Sequence, residues 1–126
     1  MKVAELQAKS QMALKSAKVL LETGDTDGAC SRAYYAMFDA ARAALIQTKA
    51  PVKTEVAKTH NGLSAAFSLH LIKSGQLSTG LGRALSRAHE TRLLADYTGD
   101  PIEPDVAAKL VQQAAEFVEE ITAKLL

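Results

Sequence analysis

The chain has 126 residues, of which 48% are hydrophobic, 5% are aromatic and none is Trp. This length favours one domain spanning residues 1–126, and the apolar fraction is too high for a disordered chain. The formal net charge of +1 gives no global electrostatic reason to expect nucleic-acid binding. Ala and Leu outnumber the aromatic residues, which favours packed helices over a sheet.

The sequence shows no signal for export or for membrane insertion. Cys30 is the only cysteine, which excludes an internal disulfide and fits a reducing compartment. No apolar run approaches the ~20 residues that span a bilayer, and charges at Lys2, Glu5 and Lys9 interrupt any signal-peptide core. We therefore expect a cytoplasmic protein with no membrane association.

The first predicted helix covers residues 3–22 and ends near Gly24, a residue type that commonly terminates helices. Lysines occupy one side of this helix, which is typical of a solvated face. The opposite, predicted buried side carries Leu6, Met12 or Ala13, Val19 and Leu20. A short loop leads to the next long helix, so the two helices are expected to pack as an antiparallel pair.

The second predicted helix, residues 26–48, carries two distinct rows of side chains. An apolar row at spacing i, i+4, i+7 and i+11 predicts a buried face formed by Tyr34, Phe38, Ala41 and Leu45. A polar row at spacing i, i+3, i+7 and i+10 consists of Arg32, Tyr35, Asp39 and Arg42. Isolated charges on a largely buried helix are costly to desolvate, so the polar row is a candidate ligand-binding surface.

The third predicted helix starts near Thr54 or Lys58 and runs to about Ile72. Gly62 lies inside it, where glycine costs ~1 kcal/mol relative to alanine unless a close contact requires it.

The fourth predicted helix is capped by Ser78 or Thr79 and ends near Tyr97, and the fifth begins at Pro104, which suits a first-turn position. The apolar positions of the fourth helix are Leu81, Leu85, Ala88, Leu93 and Leu94. One of its polar rows combines His89, Arg92 and Asp96 at spacing i, i+3 and i+7.

Three segments resemble the HEPN domain family. Residues 32–38 read RAYYAMF and are followed by AARA at 40–43, which is similar to the signature helix of the family. Residues 58–63, KTHNGL, resemble its KTHSGL segment, and residues 92–97, RLLADY, resemble its RxxADY segment. The resemblance covers roughly residues 5–125. It implies an all-α antiparallel bundle of about five helices, a homodimer, and a minimal nucleotidyltransferase as partner, as in toxin–antitoxin pairs.

The resemblance also implies a candidate ribonuclease site. Many HEPN proteins are metal-independent ribonucleases, in which an Arg is followed after four to six residues by a His. Arg stabilises the phosphate charge, and His transfers protons near neutral pH. The matching segment here supplies Arg92, Asp96 and Tyr97 as candidate catalytic residues. Tyr97 stands where a nuclease has His, and an ordinary tyrosine pKa near ~10 makes it a poor proton shuttle.

Arg83 and His89 are a weaker alternative pair with the required spacing. Six residues along a helix correspond to about 600°, so the two side chains point about 120° apart. His60, in the KTHNGL segment, joins the polar row of the second helix as a candidate ligand-binding residue. Many members of the family have His at the position of Asp39. If that His contributes to their function, this protein lacks the contribution.

Three functions remain open from the sequence. The first is a HEPN-like module that binds a nucleotide or RNA phosphate or a partner nucleotidyltransferase, as part of a toxin–antitoxin system. The alternative is a metal-independent ribonuclease toxin with an Arg-based site. A second alternative is a purely structural bundle whose charges form inter-helix ion pairs among Arg32, Asp39, Arg42, Arg92 and Asp96. No metal or cofactor is expected, because Gly-rich phosphate loops and Cys/His metal spacings are absent.

Overall fold

The computed structural model describes residues 2–126, which form five α-helices and no strand. The helices are α1 (Val3–Glu22), α2 (Thr26–Gln47), α3 (His60–Phe67), α4 (Gly80–Thr98) and α5 (Pro104–Leu125). The expected all-α bundle of about five helices is confirmed. No helix within residues 2–126 combines the length and the hydropathy that crossing a membrane requires.

The second helix is the centre of the bundle, because α2 contacts all four other α-helices. Its start is capped by the side chain of Asp25, which accepts a hydrogen bond of 2.8 Å from the amide of Gly28. More than half of its residues are buried, and most of these are small: Thr26, Ala29, Cys30, Ala33, Tyr34, Ala36, Met37, Ala40, Ala41, Ala43, Ala44 and Leu45. Small side chains allow neighbouring helices to approach α2 closely from several sides.

The contact between α1 and α2 shows this close approach. Ser10 is fully buried, and its hydroxyl donates a 2.6 Å hydrogen bond to the backbone carbonyl of Ala36. Ser10 lies 12 residues before the end of α1, and Ala36 lies 10 residues after the start of α2. Because these two positions at similar distances from the connecting loop are neighbours, the two helices run antiparallel, as predicted. A buried hydroxyl that finds an acceptor avoids a desolvation cost of about 1–3 kcal/mol.

The buried side of α1 differs by one position from the predicted one. Of the two predicted alternatives, Ala13 is buried and Met12 is 61% exposed, and Val19, which was expected to be buried, is 51% exposed. The helix instead packs through the small residues Ala13 and Ala17 together with Leu14. The alanine-rich face of α2 favours small side chains at short range, and long side chains therefore remain at the edge of the contact.

The predicted apolar side of α4 is also only partly correct. Leu85 and Ala88 are buried, whereas Leu93 and Leu94 are 51% and 64% exposed. Ser78 does not cap this helix, because its amide and hydroxyl donate to the carboxylate of Glu120 on α5, at 2.8 and 2.6 Å. These bonds attach the beginning of α4 to α5, whereas its second half leaves an apolar surface uncovered.

The predicted third helix is broken into three pieces. A 3₁₀ turn, Val56–Lys58, precedes α3, and a π-helical turn, Ser68–Ile72, follows it. The break occurs at Thr59, whose extended backbone ends the 3₁₀ turn and whose side chain accepts a 3.1 Å hydrogen bond from the amide of Gly62. This cap makes His60 the first residue of α3 and fixes where its side chain enters the bundle.

Candidate functional site

Rings from three helices meet at one place in the bundle. We call Tyr34, Tyr35, His60, His89 and Arg92 the ring cluster. α2 contributes the two tyrosines, α3 contributes His60 at its first residue, and α4 contributes His89 and Arg92. Tyr34 thus contacts His60, which lies 26 positions later in the sequence, and His89, which lies 55 positions later.

Tyr34 and His60 form the hydrogen bond that links α2 to α3. The Tyr34 hydroxyl lies 2.8 Å from Nδ1 of His60, and the tyrosine is 2% exposed. Burial raises the pKa of Tyr34 to about 12, partly offset by the positive charge of Arg92. The phenol therefore keeps its proton at neutral pH and can donate it to Nδ1 of a neutral His60, which then carries its own proton on Nε2.

His60 and His89 stack face to face, with ring centroids 3.6 Å apart and an interplanar angle of 7°. Burial lowers the pKa of both histidines. Repulsion from a protonated His89 lowers the pKa of His60 further, and the charge of Arg92 lowers the pKa of His89 further. The negative charge of Glu90 partly opposes both shifts. Both rings are therefore neutral at pH 7. Within residues 2–126, Nδ1 of His89 is buried and has no hydrogen-bond partner.

Arg92 lies over the two tyrosines of the cluster. Its guanidinium carbon is 5.0 Å from the ring centroids of both Tyr34 and Tyr35, which are cation–π distances. The guanidinium carbon of Arg32 lies 6.0 Å from the ring centroid of Tyr35. Tyr35 is 40% exposed, so this part of the cluster is open to solvent.

Arg92 and the neighbouring Arg32 have no acidic partner in the part of the chain that the structure describes. The one ion pair within residues 2–126 joins Lys124 and Glu120, at 3.1 Å. The proposed inter-helix ion pairs among Arg32, Asp39, Arg42, Arg92 and Asp96 are therefore not formed. The alternative of a structural network of charges loses its support, and the guanidinium donors of Arg92 are free to bind an anion.

Two members of the predicted polar row lie apart from the cluster. Burial raises the pKa of the Asp39 carboxyl, against the opposing effects of Lys9, Arg42 and Arg32. Arg42 lines a separate small cavity of about 150 Å³ at the end of α2, together with Lys49. The polar row is therefore divided, since only Arg32 and Tyr35 belong to the surroundings of Arg92.

The candidate catalytic residues are also divided between two places. Arg92 is in the cluster, but Tyr97 is 90% exposed and Asp96 is exposed as well. Arg83 lines a different hollow next to Gly82, so it does not form a site with His89. The structure instead combines His89 with Arg92, which the sequence already placed in one row at spacing i, i+3.

Sequence reasoning missed Tyr34 as a site residue and gave His89 only a secondary place. Tyr34 fits the apolar row of α2, so its hydroxyl gave no separate signal. The available signal was its position inside the RAYYAMF segment, together with His60 in the KTHNGL segment. In the structure these two segments touch each other through the Tyr34–His60 hydrogen bond.

A pH dependence of stability follows from the two histidines. Their pKa values are lower in the folded state than in the unfolded chain. Below about pH 6.5 the unfolded chain therefore binds more protons than the folded protein, and the free energy of unfolding falls as the pH drops through that region. We expect a lower midpoint of urea unfolding at about pH 5.5 than at about pH 7.5. His89→Gln is expected to reduce this difference. A pH-independent midpoint would contradict the described histidine environment.

Together, these features define a small helical-bundle protein with a solvent-accessible arginine–tyrosine–histidine cluster. Within residues 2–126, no three His, Cys, Asp or Glu side chains come together to hold a metal ion. The chain belongs to the HEPN domain family, because the model of that family matches residues 3–125.

Several relatives resemble this chain over most of its length. "Putative toxin MJ0605" of Methanocaldococcus jannaschii is 32% identical over 124 residues, covering 96% of this chain and 89% of the relative. A UPF0332 protein of Gloeobacter violaceus is 32% identical over 117 residues, covering 91% and 89%. "Putative toxin MJ0142" of Methanocaldococcus jannaschii is 27% identical over 114 residues, covering 90% and 69%.

Proposed function

We propose that this protein is a toxin-like HEPN module that binds RNA through a phosphate at the ring cluster. The observation that carries the proposal is Arg92, which lies over Tyr34 and Tyr35 without a carboxylate partner within residues 2–126. A guanidinium with free donors binds phosphate through paired hydrogen bonds. The exposed ring of Tyr35 offers a stacking surface for an unpaired base. The names of two relatives support the toxin part of this proposal.

The stacked histidines favour a second candidate function, metal-independent cleavage of the bound RNA. One neutral imidazole can remove the proton of a ribose 2′-hydroxyl while that oxygen attacks the adjacent phosphorus. The other, once it is protonated at a pH below its lowered pKa, can donate that proton to the departing 5′-oxygen and return to its neutral form. Arg92 can stabilise the charge on the phosphate. His60 and His89 would supply the acid–base groups that Tyr97 cannot supply.

Both functions can be tested with one labelled single-stranded RNA in the presence of EDTA. Binding measured by anisotropy should weaken between about 50 and 200 mM salt, with a log–log slope of roughly −1.4 if Arg32 and Arg92 each contact a phosphate. Cleavage that persists in EDTA and is lost in His60→Gln and His89→Gln would support the ribonuclease. Binding without cleavage supports a binding module, and the absence of any binding contradicts both.

We also propose a homodimer and a minimal nucleotidyltransferase partner, as the family resemblance implies. Leu93 and Tyr97 stand one turn apart on α4, next to Arg92, and are 51% and 90% exposed. Such exposed apolar side chains beside the cluster are consistent with a covered surface. Light scattering that shows only a monomer at micromolar concentration would contradict the dimer. Failure of a co-expressed nucleotidyltransferase to co-purify would contradict that partner.

A further inference from the structure

A groove runs between α4 and α5, on a side of α4 that the ring cluster does not use. It consists of two hollows of about 540 and 320 Å³. Thr91 and Val106 line both of them, so the hollows are continuous. We call this feature the α4–α5 groove. The second half of α4 and the first half of α5 form its walls.

The groove has a buried apolar floor and exposed apolar edges. Ala88, Leu110 and Ile102 are buried at the floor. At the edges, Leu94 is 64% exposed and Val106 is 45% exposed. Apolar side chains that stay open to solvent around a concave surface are typical of a protein interaction site.

The two surfaces of α4 are separated by the helical repeat. Thr91, Leu94 and Thr98, at spacing i, i+3 and i+7, face the groove. His89 and Arg92, also three residues apart, belong to the ring cluster and contact Tyr34. Leu94 lies about 140° around the helix from His89 at 100° per residue. An occupant of the groove therefore leaves the ring cluster accessible.

The dimensions of the groove select the shape of its occupant. Its α4 wall extends from Arg87 to Thr98, which is about 16 Å at 1.5 Å per residue and equals about three helical turns. A second copy of the same groove is concave and cannot fill it. The occupant must be a convex ridge of this length with an apolar side, which an amphipathic helix provides.

The two ends of the groove carry opposite charges, with acidic residues at one end and mostly basic residues at the other. Asp100 and Glu103 line the end where α4 connects to α5. Arg87 and Lys109 line the other end, with Glu90 as the one acidic residue there. Within residues 2–126 none of these five side chains forms an ion pair. The positive N-terminus of a bound helix is favoured beside Asp100 and Glu103, and its negative C-terminus beside Arg87 and Lys109.

We propose that the α4–α5 groove binds an amphipathic helix of a partner protein in one defined direction. The helix has about three turns, an apolar side that covers Leu94 and Val106, basic residues in its first turn and acidic residues in its last. This interaction is independent of the RNA binding proposed above, because it uses other residues of α4.

The test uses two labelled helical peptides of identical composition and identical apolar side. One has Lys in its first turn and Glu in its last, and the other has the reverse order. Anisotropy with the full chain should show about tenfold tighter binding of the first peptide, since several rim charges each contribute modestly. Val106→Glu should abolish binding, and Val19→Glu, which changes a similarly exposed valine on α1 outside the groove, should not.

Three results would overturn the proposal. The first is equal binding of the two peptides, and the second is no binding of either at roughly millimolar concentration. The third is a Val106→Glu variant that changes from dimer to monomer in light scattering, because a second copy of this chain would then occupy the surface. Circular dichroism of each variant shows that it is folded, and unchanged RNA binding by Val106→Glu checks that the two surfaces are independent.

Discussion

Replacing Arg92 by Ala is expected to weaken binding of single-stranded RNA by about 10- to 100-fold, the equivalent of a hydrogen bond to a charged group worth about 1.5–3 kcal/mol. The side chain stands at the centre of the proposed phosphate site, 5.0 Å from the ring centroids of Tyr34 and Tyr35. Its removal leaves no unpaired carboxylate behind, because Arg92 has no ion-pair partner within residues 2–126. The loss should therefore affect binding much more than folding.

Two further variants make this measurement specific. Arg83→Ala removes the same charge from the same helix at a position outside the cluster, so it should change RNA affinity by less than about threefold through long-range electrostatics alone. Arg92→Lys keeps the charge but loses the planar donor fork, so an intermediate affinity is expected. If Arg83→Ala and Arg92→Ala weaken binding equally, the interaction is a general charge effect and the proposed site is wrong.

Gly62→Ala is expected to lower the free energy of unfolding by about 2 kcal/mol or more. A Cβ atom at this position would collide with the backbone carbonyl oxygen of Val56 and would lie 2.8 Å from Cγ1 of the same residue and 2.9 Å from Oγ1 of Thr59. Backbone cannot rotate away as a flexible side chain can, so the 3₁₀ turn must move. That movement also disturbs the Thr59 cap, whose loss alone costs about 1 kcal/mol.

Gly82→Ala is the matched control, since Gly82 also lies inside a helix. Its added Cβ would meet only the Ser68 hydroxyl at 3.6 Å and Ile72 at 3.9 Å, which are ordinary contacts. This substitution should be neutral or stabilising by up to about 1 kcal/mol, because alanine has the higher helix propensity. Urea unfolding of both variants at neutral pH measures the difference. A Gly62→Ala protein as stable as Gly82→Ala would show that the segment before α3 adapts without cost.

The Gly62 prediction also links folding to the proposed function. The amide of Gly62 and the side chain of Thr59 form the cap that makes His60 the first residue of α3. A shifted cap changes the position of the His60 ring relative to Tyr34 and His89. Gly62→Ala should therefore weaken RNA binding in addition to lowering stability, whereas Gly82→Ala should leave RNA binding unchanged.

Local sequence was sufficient to predict the fold class and most helices. The alanine-rich, Gly-free stretch of α2, the Gly24 stop after α1 and Pro104 at the start of α5 are features that act within a few residues. The same reasoning marked Gly62 as costly inside a helix unless a close contact requires it, and only the structure shows that contact, with Val56. These predictions succeed because helix propensity, capping and apolar periodicity depend on near neighbours in the chain.

The tertiary structure decided which apolar residues are buried and which polar residues form the site. Periodicity did not distinguish Met12 from Ala13, because the choice depends on how closely α2 approaches α1. It did not predict that Tyr34, His60 and His89 touch, since three helices must be placed together before their rings can meet. Nor did it show that the predicted ion pairs are absent, because a charge pair requires a distance that only packing sets. The sequence alone determined the helices and the family resemblance, and the packing of α2, α3 and α4 determined the site.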